Sequence, residues 1–309
     1  MRILIIDGTY IEGNIDKKRI LEAVERALIN IDKVIMPRRQ VIEINDHWWG
    51  IMPCLCPSKL FITKIVNIIP ENRDRKLPTI NSIVTVFNEK TGEPIAIIDG
   101  RVLTAYRTAA LCTLVAKLWS ENVDTISIIG TGYQAQHIIK FFKDFLRFNK
   151  VLIYNRSEDK LKKFANILKE LDINYEICNN LEKAHDADIV IESTTSREPV
   201  VKGRHLKRGR WLVISIGVSG KEYATVEDDA IARADIVIVD NLESVLKEVS
   251  DLKNYEKHRE KVFELSKVLK DKINLSMFNK VLFKSVGMAV LDLYTAEEIV
   301  KQSISMIDV

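Results

Sequence analysis

Nowhere in its 309 residues does the sequence hold an apolar run approaching the roughly 20 that a helix needs to cross a bilayer. The opening Met1-Arg2-Ile3-Leu4-Ile5-Ile6 meets Asp7 too early for a secretory leader. The chain is therefore expected to be soluble and cytoplasmic, with no membrane partner. The four cysteines, Cys54, Cys56, Cys112 and Cys178, lack the paired spacing of a zinc site or a disulfide frame. They are expected to be small buried hydrophobes. Cys54-Leu55-Cys56 is the pair to watch, because it reads as a loop between Pro53 and Pro57. Five scattered histidines form no metal-binding pattern, so no metal is expected. Charge of one sign is missing too: 46 basic and 43 acidic side chains leave +3, too weak a field to recruit nucleic acid. Repeats and low-complexity segments are absent.

The length and a hydrophobic content of 47% suffice for two domains. Ile20, Leu21, Val24, Ala27 and Leu28 predict an amphipathic helix over residues 16–30, after an opening strand. Short β-branched runs follow at Val41–Ile44, Lys64–Ile69, Ser82–Phe87 and Pro94–Ile98, the texture of an antiparallel or mixed sheet. A helix from about Leu103 to Ser120 closes this part. Beyond Asn122 the rhythm is strand, helix, strand, with buried-type strands at Thr125–Ile129, Val151–Tyr154, Ile189–Glu192, Trp211–Ile216, Ile236–Val239 and Val281–Val286. Residues 243–280 read as charged and helical. The fold class is therefore α/β, a Rossmann-type doubly wound parallel sheet with a second α+β domain. A last helix from Met288 to about Ser303 is free to leave the parallel sheet and join the first domain.

Between the strand ending at Ile129 and the next helix stands Gly130-Thr131-Gly132-Tyr133-Gln134-Ala135, a Gly-x-Gly-x-x-Ala turn in the context a dinucleotide fold requires. Gly130 permits the tight turn, Gly132 lets the backbone approach the pyrophosphate, and Ala135 lets helix and strand pack closely. The phosphates would meet free N–H groups and the positive end of the helix dipole. After the second strand comes Asn155-Arg156-Ser157, where an acid would otherwise bond the ribose 2′-hydroxyl and repel a 2′-phosphate. A guanidinium and a hydroxyl suit a phosphate, so NADP(H) is favoured and NAD(H) remains possible.

Three segments in order, Asp99–Ala110, Gly130–Ala135 and Phe283–Ala289, make the chain resemble the ornithine cyclodeaminase/μ-crystallin family over nearly its whole length. The resemblance implies a discontinuous substrate-binding and dimerisation domain at residues 1–118 and 288–309, a Rossmann domain at 119–287, and a homodimer. It also implies a small amino or imino acid substrate whose carboxylate is held by Arg39 of Pro37-Arg38-Arg39, by Lys64 and by Arg107. Guanidinium groups match a carboxylate, and several cations in a partly dry cleft orient it better than one. Lys64 and Arg107 each interrupt an apolar stretch, where an unpartnered charge would be costly; the other reading is a snorkelling side chain or an internal salt bridge, for example Arg107 with Asp99 or Glu93. Thr194 and Thr195, in the Ser-Thr-Thr segment after the fourth strand, are candidates for the ribose or nicotinamide, or else a capped turn.

In the cyclodeaminases an aspartate follows Ile-Gly-x; counting from Ile216-Gly217-Val218, Ser219 stands there. A hydroxyl cannot take a proton near neutral pH as a carboxylate can, which argues against ornithine cyclisation unless a shifted alignment brings in Glu222 or Glu227. Serine is similar to the ketimine reductases of the family. The reading is an NAD(P)-dependent oxidoreductase that reduces an α-imino acid, or oxidises an amino acid such as alanine, with Lys64, Arg107 and Ser219 as catalytic candidates. Ornithine cyclodeamination, and a binding protein that uses a dinucleotide without catalysis, are the rivals.

Overall fold

Isoleucine and valine recur at alternate positions through the first hundred residues, and in a computed structural model, which describes residues 3–217, 220 and 223–307, each run is a strand. The chain divides into two units, Met1–Ala110 with Met288–Val309, and Leu111–Gly287.

The first unit begins with β1 (Leu4–Ile6), α1 (Gly8–Asn14) and α2 (Lys17–Ile29). Five strands follow: β2 (Gln40–Ile44), β3 (His47–Cys56), β4 (Leu60–Ile68), β5 (Ile80–Asn88) and β6 (Pro94–Asp99). Helix α3 (Gly100–Trp119) comes next, with its residues up to Ala110 in this unit and the remainder in the second, and the C-terminal helix Ala289–Ile307 completes the first unit. The sheet order is β1-β6-β5-β4-β3-β2, antiparallel except for the parallel pair β1 and β6. Because strand side chains alternate, the sheet has two unlike faces. Met52, Cys54, Ile62, Val84, Val86, Ala96 and Ile98 are buried on the face where the C-terminal helix crosses β3 and β4 and packs on α2. On the other face Ile42, Trp49, Ile65, Ile83 and Ile97 remain exposed.

Two elements here were not expected. Helix α1 is a short helix of 7 residues that Asp7 caps by accepting from the Tyr10 N–H. Strand β3 runs through the Cys54–Cys56 stretch that reads as a loop. Pro53 hides it, yet β2 pairs with β3 only as far as Ile51 and the next pairing on that side is the Ile35–Leu55 bridge, so Pro53 sits in the gap between them, where a residue without N–H is tolerated.

The second unit is a parallel sheet with strand order β13-β12-β14-β11-β10-β7-β8-β9. Its first half holds β7 (Thr125–Ile129), α4 (Tyr133–Phe145), β8 (Lys150–Tyr154), α5 (Glu158–Glu170), β9 (Tyr175–Ile177), α6 (Leu181–Ala184) and β10 (Ile189–Glu192). Next come β11 (Trp211–Ser215), α7 (Asp228–Arg233), β12 (Ile236–Val239), α8 (Leu242–Glu248) and α9 (Tyr255–His258), then β13 (Val262–Glu264), α10 (Leu265–Lys270) and β14 (Lys280–Lys284). The C-terminal helix is α11. The stretch 243–280, expected to be all helix, contains β13, and β9 was not foreseen either; both are three-residue edge strands, too short to show a period. The central strands are buried on both faces, with Ile129, Val190, Trp211, Val213, Val237 and Leu282 in one core. The chain winds outward from β7 through β8 to β9 and then returns to β10 on the other side of β7, so the strand order reverses there. In open α/β sheets, ligands bind outside the carboxyl ends of the strands at such a point.

Candidate functional site

In the first unit, strand alternation turns Lys64 of β4 inward beside Met52 of β3 and Val84 of β5. Lys64 is 2% exposed, Arg107 of α3 is 7% exposed, and both reach Asp292 of α11, which is fully buried. Lys64 Nζ donates to Asp292 Oδ2 at 2.5 Å, and Arg107 Nε donates to Asp292 Oδ1 at 3.2 Å. One carboxylate thus holds two cations, one on each oxygen. Burial pulls the Lys64 ammonium down from the usual lysine value to about 8; Asp292 opposes the shift, while the charges of Arg107 and Arg39 add to it. Arg39 lies half-buried in the segment before β2.

Asp292 is the residue that sequence reasoning missed. The partner considered for Arg107 was Asp99 or Glu93. Asp99 instead accepts from the Arg101 and Val102 N–H groups at the start of α3, and Glu93 accepts from the Thr91 hydroxyl. The available signal was a lone acid in the apolar run Ala289-Val290-Leu291-Asp292-Leu293. Burying that acid demands a cation.

In the second unit, Gly130 has φ +94°, and a methyl group there would lie 2.7 Å from Thr194 Cγ2 and 2.8 Å from the Ser193 carbonyl oxygen. Only glycine makes this turn without strain. Its N–H donates to the Tyr154 carbonyl at 2.9 Å, and the Ser193 hydroxyl donates to its carbonyl at 2.6 Å. Gly132 caps α4 without a side chain and has open space over its Cα. The first-turn N–H groups of Tyr133, Gln134 and Ala135 therefore have no capping side chain at Gly132. Gln134 Oε1 is a buried acceptor without a hydrogen-bond partner among the described residues. Thr131 is buried and accepts from Asn155 Nδ2 at 2.9 Å, while Asn155 Oδ1 accepts from the Ser157 N–H at 3.1 Å. Ser157 in turn caps α5, and Arg156 between them is exposed. The glycine turn and Asn155–Ser157, 24 residues on, are thus one structure.

A dinucleotide fits this cradle: an uncapped helix start offers N–H donors to phosphate, glycine leaves it room, and Asn155 rather than an acid follows β8. Thr194 is less open, since its N–H and hydroxyl both donate to Glu192 Oε1, at 2.7 and 2.6 Å; Thr195 is exposed. Ser219 lies outside the described residues, as does Glu222; Glu227 pairs with Arg204 at 3.0 Å. A recess of about 620 Å³, lined by Asn122, Arg147, Asn149 and Asn174, opens at the opposite, amino-terminal ends of β7 and β8 and contains none of these residues.

All four cysteines are buried and free, and burial with the nearby Asp292 charge pushes the Cys54 thiol up to about 12, so it is inert. Among the described residues no helix is long and apolar enough to cross a membrane, and no cluster of His, Cys, Asp and Glu could hold a metal ion.

Comparison with known proteins matches residues 5–306 to the ornithine cyclodeaminase/mu-crystallin family, and the chain belongs to that family. It is 28% identical over 288 residues to the ketimine reductase mu-crystallin of Mus musculus, covering 90% of each chain. It is 32% identical over 317 residues to a Delta(1)-pyrroline-2-carboxylate reductase of Bacillus cereus, covering 98% of this chain and 97% of that one. Among solved structures, the Delta(1)-pyrroline-2-carboxylate reductase of Thermococcus litoralis, in complex with NADH and L-proline, superposes with a TM-score of 0.90 at 28% identity and covers 98% of both chains.

Proposed function

We propose that this family member is a nicotinamide-dinucleotide-dependent oxidoreductase that reduces a small α-imino acid to the amino acid, and in reverse oxidises that amino acid. The observation that carries the reading is the buried Lys64–Asp292–Arg107 cluster. Lys64 and Arg107 are two cations against the single carboxylate of Asp292, a surplus of one charge that a substrate carboxylate offsets, and the charge of Arg39 is felt at Lys64 as well. Asp292 does the positioning, since each of its oxygens fixes one basic side chain before substrate arrives. The low-dielectric surroundings make the attraction stronger than it would be in water. Lys64, with its ammonium lowered to about 8, also holds a proton it can release near neutral pH, which suits a group facing an imine that must be protonated to become electrophilic.

The first unit is assigned to substrate binding and dimerisation, and the second to the cofactor. Gly130, Thr131, Gly132, Tyr133, Gln134 and Ala135 would hold the pyrophosphate, and Asn155, Arg156 and Ser157 the ribose end, with Thr194 and Thr195 flanking. When bound, the reduced dinucleotide supplies the hydride. Asn155 and exposed Arg156 in place of an acid support NADP(H), whereas the relative from Thermococcus litoralis carries NADH. The exposed isoleucine face of the first sheet supports a homodimer: a contiguous apolar surface of this kind marks an interface.

Assaying cyclic and linear α-imino acids with NADPH and NADH, with alanine, proline and ornithine in the oxidative direction, tests the activity. Oxidation of reduced dinucleotide in step with amino acid formation is expected. Ammonia and proline from ornithine, with no net dinucleotide turnover, would instead identify a cyclodeaminase. Arg107→Ala should raise the imino-acid KM by about a hundredfold, the loss of a charge-assisted contact, and leave dinucleotide binding intact; loss of dinucleotide binding alone contradicts the anchor.

A further inference from the structure

Three polar residues stand side by side at the carboxyl ends of adjacent strands of the second sheet: Glu192 of β10 pairs with Ser215 of β11, which pairs with Lys284 of β14. All three are fully buried. The strands below them are apolar, Ile189-Val190-Ile191 and Val281-Leu282-Phe283, so an aliphatic residue at each position would simply extend the core. Buried charges are instead costly and demand a full set of partners. Those partners are the two turns that leave β10 and β11.

Glu192 Oε1 takes the N–H and hydroxyl of Thr194, while Oε2 takes the Ser215 hydroxyl at 2.7 Å and the Gly217 N–H at 3.1 Å. A methyl group on Gly217 would overlap the Glu192 carboxylate, so the approach is as close as glycine allows. From the other side, Lys284 Nζ donates to Ser215 Oγ at 3.1 Å, the Gly217 carbonyl at 2.6 Å and Thr225 Oγ1 at 3.0 Å. Asp251, whose Oδ1 lies 3.3 Å from Lys284, accepts from the Thr225 and Val226 N–H groups at 3.0 and 2.9 Å. Gly217 is gripped twice, its N–H by the acid and its carbonyl by the base.

We infer that Glu192 and Lys284, bridged by Ser215, are positioning residues that fix the turns at Thr194 and at Gly217 on the dinucleotide side of the sheet. The inference rests on the reading that the second unit binds a dinucleotide. The same row of the sheet continues from Glu192 to Ile129, the residue before the Gly130 turn. A dinucleotide on the glycine turn therefore meets, on the neighbouring strands, loops whose geometry this buried row sets. None of the three needs to touch the ligand. Local packing alone would not require the carboxylate to serve both turns or the ammonium to reach across to Thr225.

The test is Glu192→Gln, which keeps the shape but places an amide where both oxygens now accept, and Ser215→Ala, which deletes only the bridging hydroxyl. Fluorescence titration with NADPH and NADH, thermal melting, and separate KM values for dinucleotide and imino acid are read on each. The dinucleotide dissociation constant should rise about tenfold or more in Glu192→Gln and by about threefold or more in Ser215→Ala, as expected for loss of hydrogen bonds to charged groups. The imino-acid KM should stay within about twofold, because its anchors belong to the other unit. A lower melting temperature with unchanged dinucleotide affinity would reduce the row to a stability element and overturn the inference. Should Glu192→Gln fail to fold, Ser215→Ala decides by the same criterion. Wild-type protein that binds neither dinucleotide would overturn the functional reading itself, a result distinguishable from variants that bind as well as wild type.

Discussion

At the scale of single residues, the proposed chemistry turns on Lys64 and the acid that holds it. A lysine titrating near 8 is charged in both folded and unfolded chains below that pH and neutral in both well above the ordinary value of 10.5. Between the two, the unfolded chain binds the proton more tightly, so this group's contribution to stability improves as pH rises through that window and is least favourable below it. Function runs the other way. A neutral amine no longer attracts a carboxylate, so the imino-acid KM should climb as pH passes through about 8, an inflection that Lys64→Met should abolish. Asp292→Asn removes the carboxylate charge that raises the Lys64 value and leaves two buried cations without their anion. That variant should lose about 3–5 kcal/mol of stability and shift the KM inflection to lower pH. Initial rates across the neutral to alkaline range, with thermal melts, check both; a wild-type KM flat with pH sinks the assignment of Lys64.

Among elements, the turn between β7 and α4 carries a prediction that separates folding from binding. Gly130→Ala puts a methyl group against Ser193 and Thr194 on a backbone with φ +94°. About 1–3 kcal/mol of stability should go with it, together with dinucleotide affinity. Gly132 has φ −83° and empty space above it, so Gly132→Ala should melt nearly as wild type yet bind dinucleotide at least about tenfold more weakly, because the added methyl occupies the approach of the phosphates. Normal affinity in Gly132→Ala would mean that the pyrophosphate does not lie there. This turn was legible in the sequence because its signal is local: a buried strand, two glycines, a small residue and a helix within a dozen positions. Strand β3 was not, since Pro53 reads as a break unless one knows that β2 has already ended beside it. Strands β9 and β13 escaped because three residues at a sheet edge show no period, and the sheet alone makes them strands.

For the whole molecule, the uncovered face of the first sheet is the feature with the widest consequence. Trp49 and Ile65 are exposed on β3 and β4, whose opposite face is packed under α11, and Ile42, Ile83 and Ile97 are exposed on other strands of the same sheet. Ile83→Lys should leave the monomer fold intact, since its side chain packs against nothing on the covered face, but convert a dimer to monomer in light scattering after gel filtration. A variant that remains dimeric places the interface elsewhere. The sequence by itself determined what is repeated or contiguous: the alternating strands of the first sheet and the continuous apolar strands of the second, the glycine turn, Asn155 in place of an acid, and the basic residues at positions 39, 64 and 107. Only the tertiary structure decided what those cations face. Asp292 lies 228 residues from Lys64 and 185 from Arg107, and Glu192 and Lys284 become neighbours only when β11 is laid between their strands. A buried charge announces in sequence that it needs a partner, because desolvation is costly wherever it happens. Which partner it finds is a matter of how distant strands and helices are brought together, and no local pattern records that.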